Sequence, residues 1–174
     1  MVHSVELLFD HGTEKAVGRM WDDLLTAGIR SLATHRSPSN RPHVTLSVAE
    51  SMDDSVDDAL CGLLDRLPMR CVLGAPTLFG GGRTVTLVRM LVPSEKLLGL
   101  HADVHRVCLP HVSGGPLPHT EPGQWTPHVT LARRVPPDQL ATAVMQPGIF
   151  GDISATAVAL RHWDGNNRVV HPIG

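Results

Sequence analysis

Two stretches of this 174-residue chain read Pro-His-Val-Thr-Leu, at positions 42–46 and 127–131. Two imidazoles and two hydroxyls form a set suited to opening a phosphodiester. An imidazole titrates near pH ~6.5, so around neutral pH one ring can be neutral and its partner charged. The neutral ring takes a proton from an attacking water while the charged ring protonates the leaving oxygen. The hydroxyls of Thr45 and Thr130 donate hydrogen bonds to the non-bridging oxygens, where charge builds in the transition state. His43, His128, Thr45 and Thr130 are the candidate catalytic residues, and the scheme calls for no metal and no cofactor. The two copies are alike, so the choice of base and acid stays open.

Such spacing works only on a strand, where successive side chains alternate between faces. His43 and Thr45 then share one face, with Val44 and Leu46 on the other. The second copy repeats the division, His128 and Thr130 against Val129 and Leu131. The apolar pair belongs in a core. A single copy reads as the wet face of a half-exposed strand; two identical copies at matching places in a repeat read as two halves of one site.

The elements that must position them alternate strand and helix. Residues 2–9 form an apolar strand, and Thr13 caps a helix to about residue 27 with Val17, Met20, Trp21, Leu24 and Leu25 on one face. Gly28 stops it, and residues 42–49 form the next strand. A helix runs from Asp53 or Asp54 to Leu67, closed by Pro68. Residues 69–79 and 84–92 flank Gly80-Gly81-Gly82-Arg83 as a hairpin. There follow a helix from Pro93-Ser94 to Leu109, a loop over 110–124, a strand over 125–132 and a short helix from Pro136 or Pro137 to Met145. Residues 153–163 and 168–172 close the chain as a hairpin. Strand, helix, loop, pentapeptide, helix thus occurs twice, with Val5–His43 and Val85–His128 as similar intervals. A duplicated unit packs about a pseudo-twofold axis, which brings the two histidine strands together.

Composition narrows the function classes. A formal charge of −2 argues against a broad nucleic-acid-coating surface, yet permits a local basic pocket for one nucleotide or RNA end. No window reaches the roughly 18 apolar residues of a membrane helix, and the start lacks the pattern of a signal peptide. Cys61, Cys71 and Cys108 are odd in number and form no CxxC unit, so they read as buried thiols in a reduced, cytoplasmic protein. The expected partner is a small nucleotide or RNA terminus, with no membrane and no obligate protein partner, and a monomer is the default.

On these motifs the chain resembles the 2H phosphoesterase superfamily, specifically its 2'-5' RNA ligase and RNA 2',3'-cyclic phosphodiesterase-like branch. The family's paired His-x-Thr/Ser-x motifs match His43-Val44-Thr45-Leu46 and His128-Val129-Thr130-Leu131, and the resemblance covers essentially the whole chain. It implies an α/β fold of the α+β type, with two antiparallel sheets forming a central cleft and helices outside. It also implies one domain over 1–174, built of two lobes at about 1–80 and 81–174 that can exchange strands. The implied activity is metal-independent hydrolysis of 2',3'-cyclic phosphates or 2'-5' linkages, with 2'-5' ligation as the reverse. The resemblance further assigns Arg133 to the phosphate pocket. Strict alternation would instead put Arg134 on the histidine face, so Arg133 requires a bulge or strand end. The chain has no tyrosine, so any base-stacking tyrosine of the family is replaced or absent.

Other residues are weighed against this reading. His35, Arg36 and Arg41 precede the first motif and are candidates for the cleft rim. His101 and His105 have the i, i+4 spacing of metal ligands, but Ala102 stands where HExxH needs Glu; with His111 and His119 they read as helix-surface and loop histidines. Trp125 reads as strand packing, and Gly80–Gly82 lacks the Gly-Lys-Ser/Thr of a phosphate loop. The competing functions are a nucleotide-binding module without turnover, and a metal-dependent hydrolase built on His101 and His105.

Overall fold

A computed structural model describes residues 2–174. The chain is α+β. Its elements run β1 (His3–Phe9), α1 (His11–Thr26), β2 (His43–Met52), α2 (Ser55–Leu60), β3 (Met69–Phe79) and β4 (Val85–Leu91). Then come α3 (Glu95–Cys108), β5 (Val112–Pro116), β6 (His128–Val135), α4 (Leu140–Val144), β7 (Ile153–Asp164) and β8 (Val169–Pro172).

All the strand pairs are antiparallel, in the order β5-β2-β1-β7-β3-β4-β6, with β8 also on β7. β7 joins the two antiparallel sheets that the resemblance implies into one eight-stranded sheet. Its residues 153–157 pair with β3 and its residues 157–164 with β1, Ala157 belonging to both ladders. A 12-residue strand, longer than the usual five or six, makes this double pairing possible. The third strand of each repeat has crossed over: β3 pairs with β4, and β7 pairs with β1.

Leu7, Phe9, Val44, Leu46, Val129 and Leu131 lie in one core with Met20, Trp21 and Leu24 of α1 and Leu97, Leu100 and Val104 of α3. α1 packs on β6 and β7 as well as β1, and α3 packs on β2. Arg89 is fully buried in β4, at the position where β1 has Leu7 opposite the motif valine. Its guanidinium donates to the carbonyls of Leu73, Gly74, Gly148 and Gly151. It thereby clips the loop before β7 onto β3, each carbonyl compensating its desolvation.

Four local expectations are corrected. The cap of α1 is Asp10, whose carboxylate accepts from the Thr13 backbone N–H at 3.0 Å; an anion at the helix N-terminus also meets the dipole. The helix after Asp54 stays α-helical only to Leu60 and continues as a 3-10 stretch, Cys61–Arg66, spanning Gly62. The region 110–124 contains β5, formed on the edge of β2, although Ser113-Gly114-Gly115 has no strand pattern of its own. Cys61 is exposed; only Cys71 and Cys108 are buried, and burial pushes each of those thiols up to about 11.

Candidate active site

Both pentapeptides end in the same irregularity. In β2, Val5 faces Ser47 but Glu6 faces Thr45, so Leu46 is an extra residue against β1. In β6, Leu87 faces Ala132 but Val88 faces Thr130, so Leu131 is the extra residue against β4. A bulge at this point breaks the alternation. Leu46 and Ser47 are both buried, as are Leu131 and Ala132, and the next side chains, Val48 and Arg133, come to the cleft. The bulge that Arg133 required is present. A second shift follows between Val85 and Leu87, where Arg134 takes a left-handed backbone at φ 59°. Arg133 and Arg134 both line the cleft, but Arg133 is the one whose charge bears on His128.

The two histidines are held alike. His43 Nδ1 lies 2.7 Å from the carbonyl of Arg41, and His128 Nδ1 lies 2.7 Å from the carbonyl of Thr126, two residues back in each case. A carbonyl can only accept, so each ring carries its proton on Nδ1. Nε2 of each ring is then the nitrogen available for proton transfer.

The threonines are braced across the repeats. Trp21 Nε1 of α1 donates to the Thr130 carbonyl at 3.0 Å, and Trp125 Nε1 donates to the Thr45 carbonyl at 2.9 Å. Trp125 therefore lies ahead of β6 rather than in it, stacked on His101 with ring centroids 3.9 Å apart and planes 2° from parallel. His101 is buried, its Nε2 is 2.9 Å from the Thr120 carbonyl, and burial pushes its pKa down. It is a packing histidine that holds the tryptophan brace.

Around this frame lies a cleft of ≈ 640 Å³. Its lining includes His43, Thr45, Arg133, Arg134, Arg30, His35, Glu6 and Arg161. Four arginines, those at 30, 133, 134 and 161, face one glutamate, so the cleft is cationic although the whole chain is slightly acidic. Arg41 is placed elsewhere: its Nε and Nη2 reach Glu14 Oε1 on α1 at 2.8 and 2.7 Å. Only its carbonyl, through His43 Nδ1, serves the site.

Glu6 and Arg161 escaped the sequence reading. Arg161 Nε and Nη2 donate to Glu6 Oε2 at 2.7 and 2.6 Å, and Nη1 donates to the Ser39 carbonyl. Ser4 Oγ donates to Glu6 Oε1, which stands 3.6 Å from His43 Nε2. The available signal was a carboxylate inside the apolar run of β1, an expensive place for a charge without a partner.

These surroundings make the two rings unlike. Burial lowers the pKa of His128, and the charges of His43 and Arg133 push the same way. Phe79 packs on its ring in a T-shaped contact, with centroids 4.7 Å apart. His43 instead faces a carboxylate, Glu6 Oε1 standing 3.6 Å from its Nε2.

The sequence profile of the 2'-5' RNA ligase superfamily matches residues 14–167. No curated protein matches the chain in a sequence search. Among solved structures, TT0787 of Thermus thermophilus superposes with a TM-score of 0.64 at 16% identity, covering 100% of this chain and 96% of that one. LigT of E. coli, in apo form, gives 0.58 at 15% identity, covering 99% and 94%. The MHV ns2 PDE domain gives 0.56 at 17% identity, covering 99% of both chains. At such identities the superpositions establish a shared fold, while the profile match spans most of the sequence. This chain belongs to the 2'-5' RNA ligase superfamily of 2H phosphoesterases.

Proposed function

We propose that the chain is a phosphodiesterase that opens 2',3'-cyclic phosphates at an RNA end or nucleotide, or 2'-5' linkages, with His43 and His128 as the proton-transferring pair. The observation that carries this reading is the matched anchoring of the two rings. Each Nδ1 is tied to the carbonyl two residues back, leaving the two Nε2 atoms for proton transfer on β2 and β6, strands in contact beside a cationic cleft. Relatives also support a nucleotide in such a cleft: E. coli LigT has been solved with 3'-AMP and with ATP.

The surroundings favour one division of labour. His128, kept neutral by burial and by Arg133, takes the proton of the attacking water. The water oxygen bonds to phosphorus, the ester bond to one ribose oxygen breaks, and His43, as the acid beside Glu6, gives that oxygen a proton from Nε2. Arg133 and Thr45, which line the cleft, and Thr130, the equivalent of Thr45 on β6, stabilise the charge on the non-bridging oxygens. The product is a phosphate monoester, and no step is routed through a metal.

The test is incubation with a nucleoside 2',3'-cyclic phosphate in EDTA, with the phosphate position in the product identified by chromatography. Monoester should form, and His43→Ala and His128→Ala should each lower the rate by roughly 10²–10⁴-fold. Unchanged turnover in both variants would refute the assignment. Binding without product on long incubation would leave a nucleotide-holding module instead.

A further inference from the structure

β7 has two faces, and the cleft uses only one of them. Arg161 and Trp163 line the cleft, so His162 and Asp164 project from the reverse side. There they meet His3 of β1, paired in register with Asp164, and His171 of β8, paired in register with His162. Asp54 and Asp57 come up from the start of α2. Three histidines and three carboxylates are thus gathered from four elements far apart in sequence. None belongs to the cleft chemistry.

The hydrogen bonds within the cluster orient it. The two oxygens of Asp57 are divided between two rings: Oδ1 lies 2.9 Å from His162 Nδ1 and Oδ2 lies 3.1 Å from His171 Nδ1. A carboxylate accepts both protons, so each ring is an Nδ1–H tautomer with its lone pair on Nε2. A carboxylate behind an imidazole is also how metal-bound histidines are held, with the ring fixed and its basicity raised. The two ring centroids are 5.2 Å apart, and a third nitrogen, His3 Nδ1, lies 3.0 Å from His162 Nε2. A carboxylate oxygen of Asp54 and one nitrogen each of His162 and His171 all lie within 4.8 Å of one another. His162 is fully buried, His3 is 5% exposed, His171 is half-buried and Asp54 is exposed, so the cluster has a solid floor and an open mouth.

We infer that this cluster binds one divalent transition-metal ion of the zinc class, ligated by His162, His171 and Asp54, with Asp57 orienting the two rings. Two imidazoles and a carboxylate are a zinc-type donor set, and tetrahedral zinc leaves a fourth position. His3 Nδ1 supplies it in the tautomer that carries the ring proton on Nε2, where the Asp164 carboxylate accepts it at 3.2 Å; otherwise water does. Bond lengths near ~2.0–2.2 Å need donors closer together than 4.8 Å, and the exposed Asp54 is free to swing inward. The ion would tie the start of α2 to the β7–β8 hairpin, directly behind the strand position of Arg161. This inference is independent of the proposed phosphodiesterase activity.

The experiment uses the full chain without an affinity tag, stripped with EDTA and dialysed, then titrated with Zn²⁺ by calorimetry at neutral pH. One ion per chain should bind, and the thermal midpoint should rise with zinc concentration, because the ion links elements that separate on unfolding. His171→Ala and Asp54→Ala, both at the open mouth, should each weaken binding by at least tenfold. Asp57→Asn should weaken it by roughly 10–100-fold through the orientation of both rings. Co²⁺ in place of Zn²⁺ should give the intense visible bands of a four-coordinate site in the wild type and lose them in His171→Ala. Circular dichroism of the metal-free variants checks that they fold. No binding by the wild type would overturn the inference. So would full-strength binding in both His171→Ala and Asp54→Ala, which would send the ion to other histidines such as His101 or His111.

Discussion

Replacing the leaving group distinguishes the two histidines in a way that replacing the histidines alone does not. Each ring is anchored by one 2.7 Å bond to a carbonyl two residues back, so neither is better positioned by its tether. On a cyclic phosphate, whose leaving group is a sugar alkoxide, base and acid are both needed. General acid or base catalysis contributes roughly 10²–10⁴-fold, which at about 1.4 kcal/mol per tenfold is about 3–5 kcal/mol of barrier. His43→Ala and His128→Ala should therefore fall by similar factors. A para-nitrophenyl phosphodiester departs as its anion without a proton. If His43, 3.6 Å from the Glu6 carboxylate, is the acid, His43→Ala should recover to within about tenfold of wild type on that substrate. His128→Ala, which has lost the base, should keep its full deficit. The assay is the release of nitrophenolate against cyclic-phosphate turnover, for wild type and both variants. Equal deficits on the activated ester would refute the division of roles, and a recovery confined to His128→Ala would reverse it.

Further tests follow from the same geometry. Since burial first, and then His43 and Arg133, lower the pKa of His128, the acidic limb of kcat/KM should lie below the ordinary imidazole range. Arg133→Ala should move that limb upward, and a limb that stays put would remove Arg133 from the site. The same shift makes the unfolded chain bind a proton more readily than the native one. The stability from neutral His128 should thus be present above about pH 6.5 and fall away below it, which urea midpoints for wild type and His128→Asn would show as a difference in slope. Glu6 and Arg161 are both 5% exposed, so Glu6→Gln or Arg161→Met alone should each cost about 3–5 kcal/mol. The double variant should cost far less than the sum, and strict additivity in urea unfolding would contradict the pairing. Trp21→Phe should cost about 1–3 kcal/mol by leaving the Thr130 carbonyl without its indole donor, with an added loss of kcat; a stability change with kcat intact would limit the brace to packing.

Much of this architecture is legible in the residue order because the relevant signals are local. Period-two alternation in the pentapeptides separates His and Thr from Val and Leu whatever they later pack against. Ser94 and the Gly80–Gly82 turn likewise mark their boundaries from neighbouring residues alone. β5 was invisible because its pairing comes from the edge of β2, and its own Gly114 and Gly115 speak for a loop. The bulges after Thr45 and Thr130 have no sequence mark either. They exist because β1 and β4 pair in a register that leaves Leu46 and Leu131 over.

The sequence by itself therefore determined the candidate reacting groups, their duplication and the strands that carry them. Tertiary structure alone decided which residues surround each ring. Glu6 and Arg161 are 155 positions apart and meet because β7 pairs with β1. Trp21 and Trp125 each reach the threonine of the other repeat, across 109 and 80 positions. The back-side cluster of His3, His162 and His171 arises the same way, from strands brought into register after long excursions. Alternation and capping act within a few residues and can be read along the chain. Charge environment and metal-ligand geometry depend on distances in space, which only the folded sheet supplies.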